Sequence, residues 1–312
     1  MIRSTLTAAL LVWFSVAAEA QDRRQYKAPV DIAFRTANIN SEGTRMAAEL
    51  FSPKDATGKL PTIVMSHGWG GTVAALRPDA VVFARAGFLV LAIDYRGWGN
   101  SDARLISTGK PQVPVGNNFL VEVAEVRGVV DPIDQTTDIL NAFHWVQDEP
   151  LCDPDRIGIW GSSYSGGHVV YVAAREPRVK ALVSQVGALN SRFALEDRQL
   201  AFDQATARAR GEIGYPKPFA KYKGLTGQPV WEKLMRYAPI EDIERCQKCA
   251  KLFIIAENEE LFDNKNHAIA AHERATGVKK LVTIEGIKHY GIYREKRKEA
   301  QQLAVDWFTE HL

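Results

Sequence analysis

Ser163 stands in Gly161-Ser162-Ser163-Tyr164-Ser165-Gly166-Gly167, directly after an apolar stretch over 157–160 and before a helical pattern. That order predicts a strand, a tight turn and a helix, with Ser163 at the apex. A turn sharp enough to lift a side chain above the strand end crowds the backbone two positions before and after it. Gly161 and Ser165 are small enough to relieve that crowding. The helix that begins beside Ser163 turns its free N–H groups and positive end toward any negative charge that develops there, such as a tetrahedral oxyanion. The chemistry open to such a serine is nucleophilic attack on an acyl carbon. Ser162 and Ser165 are the competing hydroxyls, but the strand end at Trp160-Gly161 has the right offset only for Ser163.

A short glycine- and serine-rich string arises often by chance, so the elements that must position it decide its meaning. Residues 30–36 and 45–51 read as an antiparallel pair, and 61–66 as a buried strand. A helical pattern over 76–86 stops at Gly87, and 88–93 forms another buried strand. The segment 95–130 is irregular and rich in Gly, Pro and Asn. A helix over 132–147 follows, with Asp131 placed as its N-cap. After the Ser163 turn and its helix, strands over 180–186, 251–256 and 280–284 alternate with helices over 264–275 and 293–310. This alternation predicts a mostly parallel α/β sheet with helices on both faces. Residues 188–245 break it and carry seven aromatics, Phe193 to Tyr237, which predicts a helical cap inserted over the strand ends.

Composition narrows the partners. The chain has 312 residues and a formal net charge of +2, which gives no surface for a polyanion such as nucleic acid. Arg3, the apolar run 8–18 and the small residues of Ala18-Glu19-Ala20 read as a secretory signal peptide over 1–20. The apolar run is shorter than the roughly 20 residues of a membrane span, and no later stretch approaches that length. The remaining residues, 21–312, suffice for a single domain with a well-buried core. Cys152, Cys246 and Cys249 allow at most one disulfide, Cys246 to Cys249, and they supply no second ligand pair for zinc.

Taken together, the element order, the position of the Ser163 turn and three further strings resemble the α/β-hydrolase fold over nearly the whole of 21–312. Within it the chain is similar to the dienelactone-hydrolase-like and S15-peptidase-like branch. The supporting strings are Asp131-Pro132, Asp153-Pro154-Asp155-Arg156-Ile157 and Ser163-Tyr164. The resemblance implies an eight-stranded sheet and a nucleophile elbow at Ser163. A serine hydroxyl is a weak nucleophile that needs a histidine base, itself oriented by a carboxylate, and in this fold the chain order is serine, acid, histidine. His289, in Glu285-Gly286-Ile287-Lys288-His289-Tyr290-Gly291 after the last strand, falls where the fold places its base. The acid falls in Ala256-Glu257-Asn258-Glu259-Glu260-Leu261-Phe262-Asp263. Alignment to the fold's Gly-x-x-Asp pattern selects Glu259, with Glu260 and Asp263 as alternatives.

Ser66-His67-Gly68-Trp69-Gly70-Gly71 resembles the fold's oxyanion loop, which implies that the backbone N–H groups of Trp69 and Tyr164 hold the oxyanion, with His67 bracing the loop. S15 peptidases place a tyrosine at this loop, where this chain has none. Dienelactone hydrolases proper carry cysteine where this chain has Ser163. Asp94-Tyr95-Arg96-Gly97-Trp98 resembles a recurring turn of the fold and offers Tyr95 and Trp98 as substrate-binding residues.

The expectation is therefore a secreted or periplasmic serine carboxylester hydrolase with a Ser163–His289–Glu259 triad, acting on a small-molecule ester without metal or organic cofactor. A peptidase or amidase on the same triad is the alternative within enzymes, and a binding module with an idle triad is the alternative outside them. Cleavage after Ala20 predicts that N-terminal sequencing of the exported protein starts at Gln21. A chain that keeps Met1 after export would overturn this.

Overall fold

The computed structural model describes residues 26–110, 116–193 and 198–312; the expected signal segment 1–20 lies outside them. Eight strands form one sheet: β1 (Ile32–Ser41), β2 (Thr44–Pro53), β3 (Leu60–Ser66), β4 (Leu89–Ile93), β5 (Cys152–Ser162), β6 (Val179–Gln185), β7 (Ala250–Ala256) and β8 (Lys279–Ile284). Their spatial order is β1-β2-β4-β3-β5-β6-β7-β8. Only β2 runs against its neighbours, and every pairing from β4 to β8 is parallel. Parallel pairing places the carboxyl ends of β3, β5, β7 and β8 on one edge of the sheet, where crossover loops collect.

Both faces are covered. Helices α1 (Val73–Arg85) and α6 (Arg297–His311) pack on one side, while α2 (Pro132–Val146), α3 (Tyr164–Ala173) and α5 (Ala268–Arg274) pack on the other, α4 (Arg198–Ala209) lying between α3 and α5 in the chain. The period of two along β4 divides its side chains between the layers: Leu89, Leu91 and Ile93 face one core, Val90 and Ala92 the other. All five are buried, as a central parallel strand requires. Asp131 caps α2 by accepting from the N–H groups of Ile133 and Asp134 at 3.2 Å each, with Pro132 in the first turn.

Several boundaries differ from the sequence expectation, each for a tertiary reason. Residues 264–275 form a 3-10 turn, Asn264–Asn266, and then α5. The break falls at His267, whose Nδ1 accepts from the Leu189 N–H at 2.8 Å. The closing helix starts at Arg297, because His289–Tyr293 is itself a 3-10 turn. The irregular segment contains a hairpin, Arg104–Ser107 with Val123–Val126, whose alternation is too short to stand out in the sequence. Residues 228–229 pair in parallel with Val129–Val130, which ties the segment expected to form the cap to that long loop. No disulfide joins Cys246 to Cys249. Their thiols turn to separate carbonyls, Val170 and Ala250, while the Lys251 ammonium donates to both of their own carbonyls at 2.7 Å.

One buried ion pair lies in the core. Arg96 Nε donates to Asp138 at 2.6 Å, and Ser41 Oγ and the Arg96 N–H bond the same carboxylate. Burial pushes the Asp138 carboxyl up to about 6, against the pull of Arg96. Removing one partner strands the other charge in the core. Asp138→Ala is therefore expected to lower stability by about 3–5 kcal/mol in urea unfolding, far more than truncating the exposed Arg85–Asp31 pair. Equal effects would show that burial does not govern these pairs.

Candidate active site

The nucleophile position is strained by construction. Ser163 has φ 58° and ψ −124°, a left-handed conformation costing about 1–3 kcal/mol in a residue with a side chain. Three bonds hold it: its N–H donates to Gln185 O at 2.9 Å, and its carbonyl accepts from Gly166 and Ala188. Gly161 is required here, because a Cβ on it would lie 2.3 Å from the Ser165 carbonyl. Ser165 is buried, its hydroxyl bonded to Ser66 Oγ at 2.5 Å and accepting from Tyr95 OH at 3.3 Å, so it ties the elbow to the end of β3.

His289 sits in the turn after β8 and reaches across the strand ends. Its Nε2 is 3.1 Å from Ser163 Oγ, and its Nδ1 is 2.8 Å from Glu259 Oε2. A carboxylate accepts only, so Nδ1 carries the proton and Nε2 presents a lone pair to the serine. The His289 and Glu259 side chains are 1% and 2% exposed, which keeps water from competing for these bonds. The carboxylates after β7 have separate tasks. Glu257 accepts from Gly286 N–H, Glu260 from His289 N–H at 2.7 Å, and Asp263 from Lys265 N–H as the cap of a 3-10 turn. Only Glu259 reaches the imidazole, and its second oxygen accepts from Leu261 N–H at 3.0 Å.

Facing the elbow, the loop 67–71 leaves β3 with Gly68 against the nucleophile. A Cβ at Gly68 would lie 2.8 Å from both Ser162 O and Ser163 Cβ. Such closeness brings the Trp69 backbone beside the start of α3, where Tyr164 N–H is the first free donor. The Trp69 indole donates to Gly227 O at 3.0 Å and packs edge-on to the Tyr164 ring, so residues of the 188–245 segment hold the loop from above. Burial lowers His67 to about 4, so its ring is neutral, and its Nδ1 donates to Gly68 O at 3.0 Å. This histidine braces the loop.

A cleft of about 340 Å³ opens over Ser163 and His289. Tyr95 and Trp98, expected to bind substrate, do not line it. They are 0% and 2% exposed, with Tyr95 bonded to Ser165 and Trp98 Nε1 donating to Val129 O at 3.1 Å. Asp94 explains why: it accepts from Val73 N–H and Asn100 N–H, which draws the turn 94–100 inward under the loop. The wall comes instead from Leu225, Leu261, Tyr290, Tyr293 and Arg294, together with Ser162. The sequence signals them only through their neighbours: Ser162 precedes Ser163, Leu261 lies in the stretch of the acid, and three closely follow His289, while Leu225 has no such neighbour.

The X-Pro dipeptidyl-peptidase (S15 family) model matches residues 42–207, and the prolyl oligopeptidase family model matches 133–312. The chain belongs to the α/β-hydrolase superfamily. Among relatives of this hydrolase, an uncharacterized 31.7 kDa protein in the traX-finO intergenic region of Escherichia coli is 28% identical over 309 residues, 87% of this chain and 97% of that one. Thiohydrolase aneE of Aspergillus aculeatus is 30% identical over 156 residues, 50% of this chain and 42% of that one. Hypothetical protein PA2218 from Pseudomonas aeruginosa, known as a crystal structure, superposes with a TM-score of 0.73 at 20% identity, covering 92% of this hydrolase and 96% of its own chain.

Because Gly68 packs on Ser163 Cβ, Gly68→Ala is expected to push the loop off the nucleophile and lower kcat by about 10²-fold or more, the usual cost of losing an oxyanion donor. Circular dichroism should remain native; undiminished kcat would place the oxyanion site elsewhere.

Proposed function

We propose that this α/β hydrolase is an exported serine carboxylester hydrolase that works through Ser163, His289 and Glu259. The observation that carries the reading is the imidazole seated between hydroxyl and carboxylate at 3.1 and 2.8 Å. Ser163 Oγ attacks the ester carbonyl as His289 Nε2 takes its proton, and Glu259 stabilises the resulting imidazolium. The carbonyl electron pair moves to oxygen, and that oxyanion accepts from the Trp69 and Tyr164 backbone N–H groups. When it collapses, the C–O bond to the alcohol breaks and His289 returns the proton to the departing alkoxide. Water then attacks the acyl-enzyme, with His289 taking its proton and passing one back to Ser163 as the acid leaves.

An ester fits the cleft better than a peptide with a free amine. Asp79 is the one carboxylate among the cleft residues, and Arg297 and Gln301 already occupy it. A relative over half of this chain is named a thiohydrolase, and the same steps would also cleave a thioester. Export is supported by Arg3, the apolar run 8–18 and Ala18-Glu19-Ala20. Among the described residues no helix is long and apolar enough to cross a membrane.

A p-nitrophenyl ester series from acetyl to long acyl tests the reading. Ser163→Ala is expected to lose at least about 10²-fold in kcat, and Glu259→Gln about 10³- to 10⁴-fold, with a far smaller loss for Glu260→Gln. A larger loss for Glu260→Gln than for Glu259→Gln would reassign the acid. No turnover of any ester by the wild-type protein would leave the amidase or binding-module reading in its place.

A further inference from the structure

Two hydroxyls in the cleft wall beside the nucleophile take no part in those steps. Ser162 and Tyr293 both line the cleft, and their oxygens are 2.6 Å apart. Gln185 Nε2 donates to the same Ser162 oxygen at 3.1 Å. Among the described residues neither hydroxyl has a further partner.

A proton count then has one outcome. Each hydroxyl carries one proton, and the bond between them uses one of the two. When Ser162 donates, the Tyr293 proton is left over. When Tyr293 donates, Ser162 accepts from both Tyr293 and Gln185, and its own proton is left over. Burial raises the Tyr293 phenol above its ordinary value, so it keeps its proton at neutral pH. One O–H donor therefore remains for whatever fills the cleft, and either residue can supply it.

The charged groups of the wall have the complementary sign. Asp79 is neutralised by two bonds from Arg297 and one from Gln301. Arg294 also lines the cleft, and no carboxylate pairs with it among the described residues. His67 adds no base, since its Nδ1 is bonded to Gly68 O and its Nε2 is buried. What is left uncompensated among the described residues is a hydroxyl donor, the Trp160 indole N–H and a cation, against one buried acceptor, His67 Nε2.

We propose that this wall is a subsite for an acceptor oxygen, keto or carboxylate, carried on the substrate close to the scissile ester. The proposal rests on the Ser163 acyl-enzyme reading and names the substrate class for it. Ser162 and Tyr293 are redundant donors to that oxygen, so loss of one is covered by the other, and Arg294 adds affinity when the oxygen belongs to a carboxylate.

The experiment compares matched substrates on the full mature protein, with spontaneous hydrolysis subtracted. For the acyl half, p-nitrophenyl 4-oxopentanoate is set against p-nitrophenyl pentanoate; for the alcohol half, the butyrate ester of glycolic acid against ethyl butyrate. The ratio of kcat/KM within a pair does not depend on how much of a variant is folded. One pair is expected to show a preference of about 10-fold or more for the oxygen-bearing ester. Tyr293→Phe and Ser162→Ala should each keep most of that ratio, and the double variant should bring it close to one. The pair that responds assigns the subsite to the acyl or the alcohol half.

Ratios near one in wild type for both pairs would overturn the subsite while leaving Ser163 chemistry intact. So would a double variant that slows both members of a pair equally. Failure of the wild-type protein to hydrolyse any of the four would overturn the acyl-enzyme reading, and the subsite with it.

Discussion

The active site depends on a backbone conformation that Ser163 would not adopt alone. Its positive φ is imposed where β5 ends and α3 begins, by Gln185 O at the end of β6 and by the N–H groups of Gly166 and Ala188. The bond to Gln185 follows from the parallel register of β5 and β6, with Ser162 opposite Gln185, while the Gly166 bond is local to the turn. The same register sets Ser66 of β3 opposite Gly161 and so delivers the loop 67–71 to the other side of the serine. Strain at one residue is thus held by the whole central sheet, in keeping with how strained catalytic backbones persist.

Electrostatic order follows from the same edge of the sheet. β7 and β8 end side by side, with Ala256 opposite Ile284. The loops that follow place carboxylates of the first against backbone donors and the imidazole of the second. Glu257 and Glu260 take N–H groups that a tight turn leaves unpaired, which fixes the path of the His289 loop. Glu259 is then left to the imidazole, with its second oxygen on Leu261 N–H. Such a division of labour lets a buried imidazole–carboxylate pair keep its geometry without water, because the neighbouring carboxylates Glu257 and Glu260 already have partners.

Much of this was legible in the sequence. Ser163 was marked by small residues at fixed offsets, and His289 by its place after the final strand; Glu259 followed from its offset beyond β7. The strands were visible because buried parallel strands are short, continuous apolar runs. Less visible was everything decided by contacts between distant segments. Tyr95 and Trp98 have the residue types of a binding pocket, yet Asp94 draws their turn beneath the oxyanion loop and buries them. The helix expected from residue 293 begins later, because His289–Tyr293 must curl to aim the imidazole.

The amino-acid sequence by itself determined the layering of the sheet, the elbow and the choice of Ser163, His289 and Glu259 as the three side chains that meet there. These rest on local patterns of size and polarity, and on an order along the chain that survives any detail of packing. Only the tertiary structure decided which side chains meet the substrate. Leu225, Leu261 and the Ser162–Tyr293 pair come from four separate segments, and what unites them is the convergence of strand ends and loops on one cleft. Side-chain neighbours of that kind are set by three-dimensional packing, which periodicity along a chain does not encode.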